Sequence, residues 1–209
     1  MSSAVRSSPI ALTVLAMLHA QPLHPYGIQR LIKQWGKDQV VNVGQRASLY
    51  RTMDRLQTAG LVAVRETERD HQYPERTVYE ITDAGRAVTR EWLAEMIAVP
   101  KPDFPEFPAA LSNIMMLTPQ EALPLLERRA TALTAMRQGM EASMAGAKGL
   151  PRVVMLESEY VLATATTQLD WIRSVIEDLR TERLSWSQEK LLALADESVA
   201  QSGAADPPV

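Results

Sequence analysis

QRASLYRTMDRL, residues 45–56, is a segment with two helical faces of opposite character. On a helical period, Leu49, Met53 and Leu56 fall on one side, which predicts burial against a core. The other side carries short hydroxyl side chains and arginines: Ser48, Arg51, Thr52 and Arg55, with Gln45 and Arg46 at the start of the helix. Hydroxyl residues allow close approach to a DNA groove, and guanidinium groups bind phosphates or guanine. We therefore predict a major-groove helix; the alternative is an ordinary solvent-exposed helix.

Two helices are predicted before this segment and a β-hairpin after it. Prolines in the first turn indicate helices that begin near residues 9 and 25. The central helix should run over residues 44–59, with Gly60 as a left-handed cap. A strand begins at residue 61, and residues 76–81 alternate at period two as its returning partner. This order is typical of a winged helix-turn-helix.

The loop between the strands is the predicted wing. Arg69, His71 and Arg76 are placed to reach an adjacent groove or the DNA backbone. Acidic residues at positions 68, 70 and 75 dilute their charge. A solvated wing that makes no DNA contact therefore remains the alternative.

The rest of the chain is predicted to be helical. Thr82 should cap a fourth helix, whose apolar stripe includes Trp92 and Met96. Residues 100–108 hold four prolines and form the predicted junction between domains. Beyond them we expect a short helix over 107–117, long helices from Thr118 to about 144 and over 152–183, and a short one over 186–194.

These elements give the expected fold class and domain organisation. The fold is mainly α (α+β), with an N-terminal winged helix-turn-helix, a two-stranded wing and an α-helical dimerisation domain. The expected boundaries are 1–99 for the DNA-binding domain, 100–108 for the junction, 109–198 for the dimerisation and effector domain, and 199–209 for a disordered tail.

Composition narrows the class of protein. The chain of 209 residues has no cysteine, which excludes disulfides and thiolate metal sites. Its net charge of −3 divides unevenly, because residues 1–99 carry +2 and residues 100–209 carry −5. No apolar run is long enough to span a bilayer, so we expect a cytoplasmic protein with no membrane partner. Three scattered histidines and no nucleophile motif lead us to expect no metal, no cofactor and no enzymatic activity.

The ordered motifs resemble those of PadR-type transcriptional regulators. The matching segments are His24-Pro25-Tyr26-Gly27-Ile28, Ser48-Leu49-Tyr50, Leu56, Gly60-Leu61-Val62, the set Arg76, Tyr79, Thr82 and Gly85, and, in the second half, Phe107 to Leu111, residues 123–129, Leu156-Glu157 and Trp171. The resemblance covers roughly residues 10–183. Pro25 and Gly27 depart from the family's usual glycine and acidic residue.

The resemblance implies a homodimer that binds double-stranded DNA at an inverted repeat and represses transcription until an effector releases it. The last long helix would pack against the partner's N-terminal domain. Tyr26 and Tyr50 would contact phosphates or pack between elements, with packing favoured for Tyr50.

Two further sites were assigned from apolar patterns. Leu156, Tyr160, Trp171 and Val175 form a predicted dimerisation stripe, because a monomer would leave that apolar surface exposed. Trp92 and Met96 would hold a small hydrophobic or aromatic effector, as tryptophans do in one branch of the family, although a core position is the alternative. A winged-helix module that binds proteins instead of DNA is the rival function.

Overall fold

The computed structural model describes residues 6–42, 46–68, 76–147, 149–187 and 189. The chain divides into two compact units, Met1–Asp103 and Phe104–Val209. Each unit has its own hydrophobic core.

The N-terminal unit consists of four helices and a hairpin. In chain order these are α1 (Pro9–Ala20), α2 (Pro25–Gln34), a 3₁₀ turn (Lys37–Gln39), α3 (Arg46–Thr58), β1 (Val62–Glu68), β2 (Arg76–Ile81) and α4 (Asp83–Ala98). The predicted winged helix-turn-helix order is confirmed.

The first two helices begin at side-chain caps that prolines support. The Ser8 hydroxyl accepts a hydrogen bond from the Ala11 backbone N–H at 3.3 Å, and Pro9 occupies the first turn. At α2 the ring Nδ1 of His24 accepts from the Gly27 N–H at 2.8 Å. Both caps satisfy donors that the first turn of a helix leaves unpaired.

The hairpin is antiparallel, and its register runs from the pair Val62 and Ile81 to the pair Glu68 and Arg76. A register shift between residues 64 and 66 marks a β-bulge. β1 continues through polar residues to Glu68, where the predicted wing loop begins. Polar side chains did not end the strand, since a hairpin arm away from the core needs only backbone pairing.

Thr82 joins the end of α3 to the start of α4. Its hydroxyl donates to the carbonyl of Gly60 at 2.7 Å and accepts from the Gly85 N–H at 3.0 Å. Gly60 has φ +73°, the left-handed conformation expected after a helix. A Cβ at Gly85 would lie 2.1 Å from the Leu61 carbonyl oxygen, so α4 and the start of the hairpin approach too closely for any other residue.

The core of this unit lies between the three N-terminal helices and the hairpin. Its fully buried side chains are Val14, Leu15, Leu18, Ile28, Ile32, Leu49, Met53, Leu56 and Val62. α1 contributes as the central helix, since it contacts α3, α4 and β2.

The C-terminal unit is built on two long antiparallel helices. Its elements are α5 (Glu106–Leu111), a 3₁₀ turn (Ile114–Met116), α6 (Pro119–Gly146) and α7 (Arg152–Arg180). Thr118 and Glu121 form a capping box at the predicted start of α6, because the Thr118 hydroxyl accepts from the Glu121 N–H and the Glu121 carboxylate accepts from the Thr118 N–H. A core of Leu126, Ile172, Ile176 and Leu179 holds α6 and α7 together.

Several predicted boundaries in this unit differ from the structure. The helix expected over 107–117 is interrupted after Leu111, and α7 ends at Arg180, where Glu182 takes a positive φ. Most of the predicted helix 186–194 and all of the tail 199–209 lie outside the described residues. Within the described ranges, no helix is long and apolar enough to span a bilayer.

Candidate DNA-binding surface

The buried side of α3 is the one that the sequence predicted. Leu49, Met53 and Leu56 are each at most 1% exposed and belong to the core of the N-terminal unit. Because these three side chains must face the core, the residues on the opposite side of α3 are the ones that face outward.

Thr52 does not lie on the outward side, and that part of the prediction is wrong. It is only 5% exposed. Its hydroxyl donates to the carbonyl oxygen of Ser48 at 2.8 Å, one turn earlier. Because this bond satisfies the hydroxyl inside the helix, threonine can be buried like an apolar residue.

The outward face of α3 is consequently rotated from the predicted one. It is centred on Ala47, Arg51, Asp54 and Thr58, all exposed, with Tyr50 and Arg55 exposed on its two sides and Ser48 half-buried. Arg51 and Arg55 are thus available to a partner, as predicted. Ala47 and Asp54 were not predicted as site residues, although their positions opposite the core leucines contained the signal.

The guanidinium of Arg51 is held against its own helix. Its Nε donates to the Ala47 carbonyl oxygen at 3.2 Å. This bond leaves the two terminal nitrogens as donors for a phosphate or a base edge. Among described residues, neither Arg51 nor Arg55 forms an ion pair with a carboxylate.

Tyr26 and Tyr50 are both about half exposed, at 53% and 50%. Tyr26 lies in the first turn of α2, where its ring stacks on His24 with 6.0 Å between centroids and 13° between planes. The packing role that was favoured for Tyr50 does not agree with this exposure. Both hydroxyls remain candidates for phosphate contact.

Tyr79 on β2 was missed as a neighbour of this surface. Burial raises the pKa of its phenol, and the negative charge of Asp54 and the phenol of Tyr50 raise it further. Its backbone also pairs with Leu23 through two hydrogen bonds of 3.0 Å. Tyr79 therefore stays a neutral hydroxyl near α3 and the turn before α2.

Five other predicted contacts cannot be placed by their side chains. Gln45, Arg69 and His71 lie outside the described residues, and for Arg46 and Arg76 only the backbone is described. On α2, exposed Arg30 and Lys33 add positive charge to this unit.

The tryptophan assigned to an effector belongs to the core instead. Trp92 is 8% exposed and packs within the core of the N-terminal unit. Its ring therefore offers no free face for a stacked ligand in this structure, which supports the core alternative. Met96 is half-buried on the same helix.

The predicted dimerisation stripe is largely exposed in the single chain. Leu156, Tyr160 and Trp171 are exposed, and Trp171 contacts Phe107 edge-on at 6.3 Å. Val175 is half-buried against the core of the C-terminal unit, so it contributes less free surface. In the described part of the chain, no cluster of metal-ligating side chains is present.

Comparison with known proteins gives one family and several solved structures. The model of the transcriptional regulator PadR-like family matches residues 14–91. No curated protein matches the sequence. Bacillus subtilis PadR in complex with operator DNA is 20% identical, with a TM-score of 0.67 over 82% of this chain and 99% of that one.

Two further structures have the same fold. Bacillus subtilis PadR in complex with p-coumaric acid is 18% identical, with a TM-score of 0.66 over 82% of this chain and 98% of that one. The Vibrio cholerae virulence activator AphA is 17% identical, with a TM-score of 0.60 over 83% of this chain and 99% of that one. At 17–20% identity these matches show a shared fold, and this fold extends over 98–99% of each solved chain.

Proposed function

We propose that this protein is a homodimeric repressor of transcription of the PadR-like family, whose family model matches residues 14–91. It binds an inverted-repeat DNA site through α3 and is released by a small hydrophobic or aromatic effector. The observation that carries the proposal is the outward face of α3, which presents Arg51 and Arg55 beside the small side chain of Ala47.

The surface chemistry of α3 supports DNA as the partner. Two arginines on one exposed face provide donors for phosphates and for guanine, and Ala47 lets the helix approach a groove closely. The exposed phenols of Tyr26 and Tyr50 extend the surface toward α2. A solved structure with this fold contains operator DNA.

Symmetry supports a dimer. A single α3 reads a few base pairs, and helix-turn-helix proteins gain affinity by placing two recognition helices about one turn of DNA apart. The N-terminal half of α7 exposes Val153, Val154, Leu156 and Tyr160. Several exposed apolar side chains on one helix favour association with a second copy.

A solved structure supports the effector, and the family resemblance supports the repressing role. One structure with this fold holds p-coumaric acid, a small aromatic acid. Another structure with this fold is named as an activator. The proposed repression therefore rests on the family resemblance, and reporter expression tests it.

The decisive test replaces Arg51 and Arg55 together with alanine. We expect affinity for the selected operator to fall at least about thirtyfold, because each of the two arginine contacts contributes about 1–3 kcal/mol. The slope of log affinity against log salt should become shallower by about two. Fluorescence anisotropy with labelled duplex at several salt concentrations measures both.

The matched control replaces Arg137 and Arg173, which lie on α6 and α7 and carry the same charge. Its operator affinity should stay within about twofold of the parent. A loss below tenfold in the Arg51 and Arg55 variant, or an equal loss in the control, would contradict the assignment of α3 as the DNA-binding element.

A further inference from the structure

A cavity of about 460 Å³ lies within the C-terminal unit, between α5, the 3₁₀ turn and the first half of α6. Its walls are mainly apolar and include Phe107, Leu111, Ile114 and Leu126. Its size falls in the usual range for a small-molecule site. None of its lining residues belongs to the α3 surface or to the predicted dimerisation stripe.

Two arginines interrupt this apolar lining. Arg128 and Arg129 are consecutive on α6 and both line the cavity. In the described part of the chain, neither forms an ion pair with a carboxylate. The cavity therefore carries two positive charges that no described acidic side chain neutralises.

Arg129 is held in place by its neighbours. Its guanidinium carbon lies 3.6 Å from the centre of the Phe107 ring, and its Nη2 donates to the Gln168 side-chain oxygen at 3.3 Å. Its Nε is buried and has no acceptor among described residues. A stacked, half-buried cation with unused donors is preorganised to bind an anion, because a neutral ligand would leave the charge uncompensated.

The other polar groups at the cavity are already engaged. The Asn113 side-chain amide donates to the Ala109 carbonyl and to the Ser112 hydroxyl, at 2.8 and 3.1 Å. The Leu117 carbonyl accepts the indole N–H of Trp186 at 2.8 Å. The two arginines therefore dominate the polar recognition that the cavity offers.

We propose that this cavity binds a small organic monocarboxylate, with its apolar body among the α5 and α6 side chains and its carboxylate on Arg128 and Arg129. Apolar walls select the body of such a ligand, and a guanidinium fork donates two parallel hydrogen bonds to its carboxylate. The role of this ligand as the effector rests on the proposed function, whereas its binding does not.

The test compares an acid with its neutral isostere on the full-length protein. Equilibrium dialysis with 2-naphthoate and 2-naphthamide separates the charge from the apolar body, and octanoate with octanamide repeats the comparison for a flexible chain. We expect both acids to bind with Kd below about 1 mM and at least about tenfold more tightly than their amides.

Four variants locate the site. Arg128→Gln and Arg129→Gln should each weaken acid binding at least about fivefold and leave amide binding unchanged. Ala132→Phe, at an exposed position that lines the cavity, should weaken acid and amide alike by filling the space. Arg137→Gln, on the same helix but outside the lining, should bind as the parent does.

Specific results would overturn the proposal. Equal affinity for an acid and its amide would overturn it. Acid binding that is unchanged in Arg128→Gln would also overturn it. Arg128 is exposed, so that variant remains informative if the Arg129 variant does not fold. Operator binding is measured on the same preparations without ligand. Failure there with intact acid binding would contradict the proposed function alone, whereas intact operator binding without acid binding would contradict the cavity alone.

Discussion

Asp54 places a negative charge on the outward face of α3, beside its exposed arginines. It lies at the centre of the outward face, next to Arg51 and opposite the buried Leu56. A carboxylate there repels phosphates, yet it can accept a hydrogen bond from the amino group of cytosine. With α3 as the proposed DNA-binding helix, we expect Asp54 to lower non-specific affinity and to favour particular base pairs.

Replacing Asp54 with asparagine should strengthen binding to random duplex by about three- to tenfold at low salt, because one repulsive charge is removed. The ratio between operator and random DNA should fall. Competition binding with both duplexes measures the two effects. Glu91→Gln, an equal change of charge on α4, should leave that ratio unchanged; a matching shift there would show that only net charge matters.

Gly85 is a second residue whose identity is fixed by its surroundings. Gly85→Ala would place a Cβ 2.1 Å from the Leu61 carbonyl oxygen and 2.8 Å from Cγ1 of Ile81, and the backbone of Leu61 leaves little room to adjust. We expect the free energy of unfolding to fall by about 1–3 kcal/mol or more. Gly139→Ala, which meets no atom within 4 Å in α6, should instead gain up to about 1 kcal/mol. Denaturant unfolding followed by circular dichroism compares them.

At the scale of elements, helix starts were predictable because their signals are local. Ser8, Thr82 and Thr118 each accept from a backbone N–H three residues later, within one turn of the sequence. The rotation of α3 was harder to predict. Its polar face was assigned by residue type, so Thr52 was counted as outward. The positions of Leu49, Met53 and Leu56 would have placed the outward face opposite them and included Asp54.

Packing between distant segments could not be predicted from the sequence. The cavity of the C-terminal unit depends on how α5 lies against α6, and the contact of Arg129 with Phe107 joins residues 22 positions apart. The burial of Trp92 likewise depends on α1 and the hairpin packing against α4. Periodicity fixes the face of a helix but not the partner that covers it.

The capping box of α6 should make this helix sensitive to acid. Hydrogen bonds from Thr118, mainly from its backbone N–H, lower the pKa of Glu121 below its ordinary value of 4.5. A lowered folded-state pKa stabilises the protein above the ordinary value, and this contribution is lost as pH falls through the lowered one.

Glu121→Gln keeps a side-chain oxygen for the cap but does not titrate. The stability advantage of the parent over this variant should therefore shrink as the pH is lowered from about 6 to about 3. Thermal unfolding midpoints across this range measure the difference. A difference that stays constant with pH would show that the carboxylate charge does not contribute.

At the scale of the whole molecule, the exposed stripe on α7 predicts the oligomeric state. The parent should have the mass of a dimer in light scattering at micromolar concentration, as expected for a regulator of an inverted repeat. Tyr160→Asp, at a position 71% exposed, should shift the mass toward a monomer without unfolding the chain. Tyr160→Phe, which keeps the ring at the same position and adds no charge, should keep the mass of the parent. A monomeric parent would contradict the dimer.

The two hydrogen bonds made by the Thr82 hydroxyl have a mechanical consequence. The hydroxyl bonds both to Gly60, the cap residue after α3, and to Gly85 in the first turn of α4, so tilting either helix alone would strain one of these hydrogen bonds. The two helices are therefore coupled. We expect an event that reorients α4 to shift α3, the proposed DNA-binding helix, with it, and Thr82→Val to weaken this coupling by removing both hydrogen bonds.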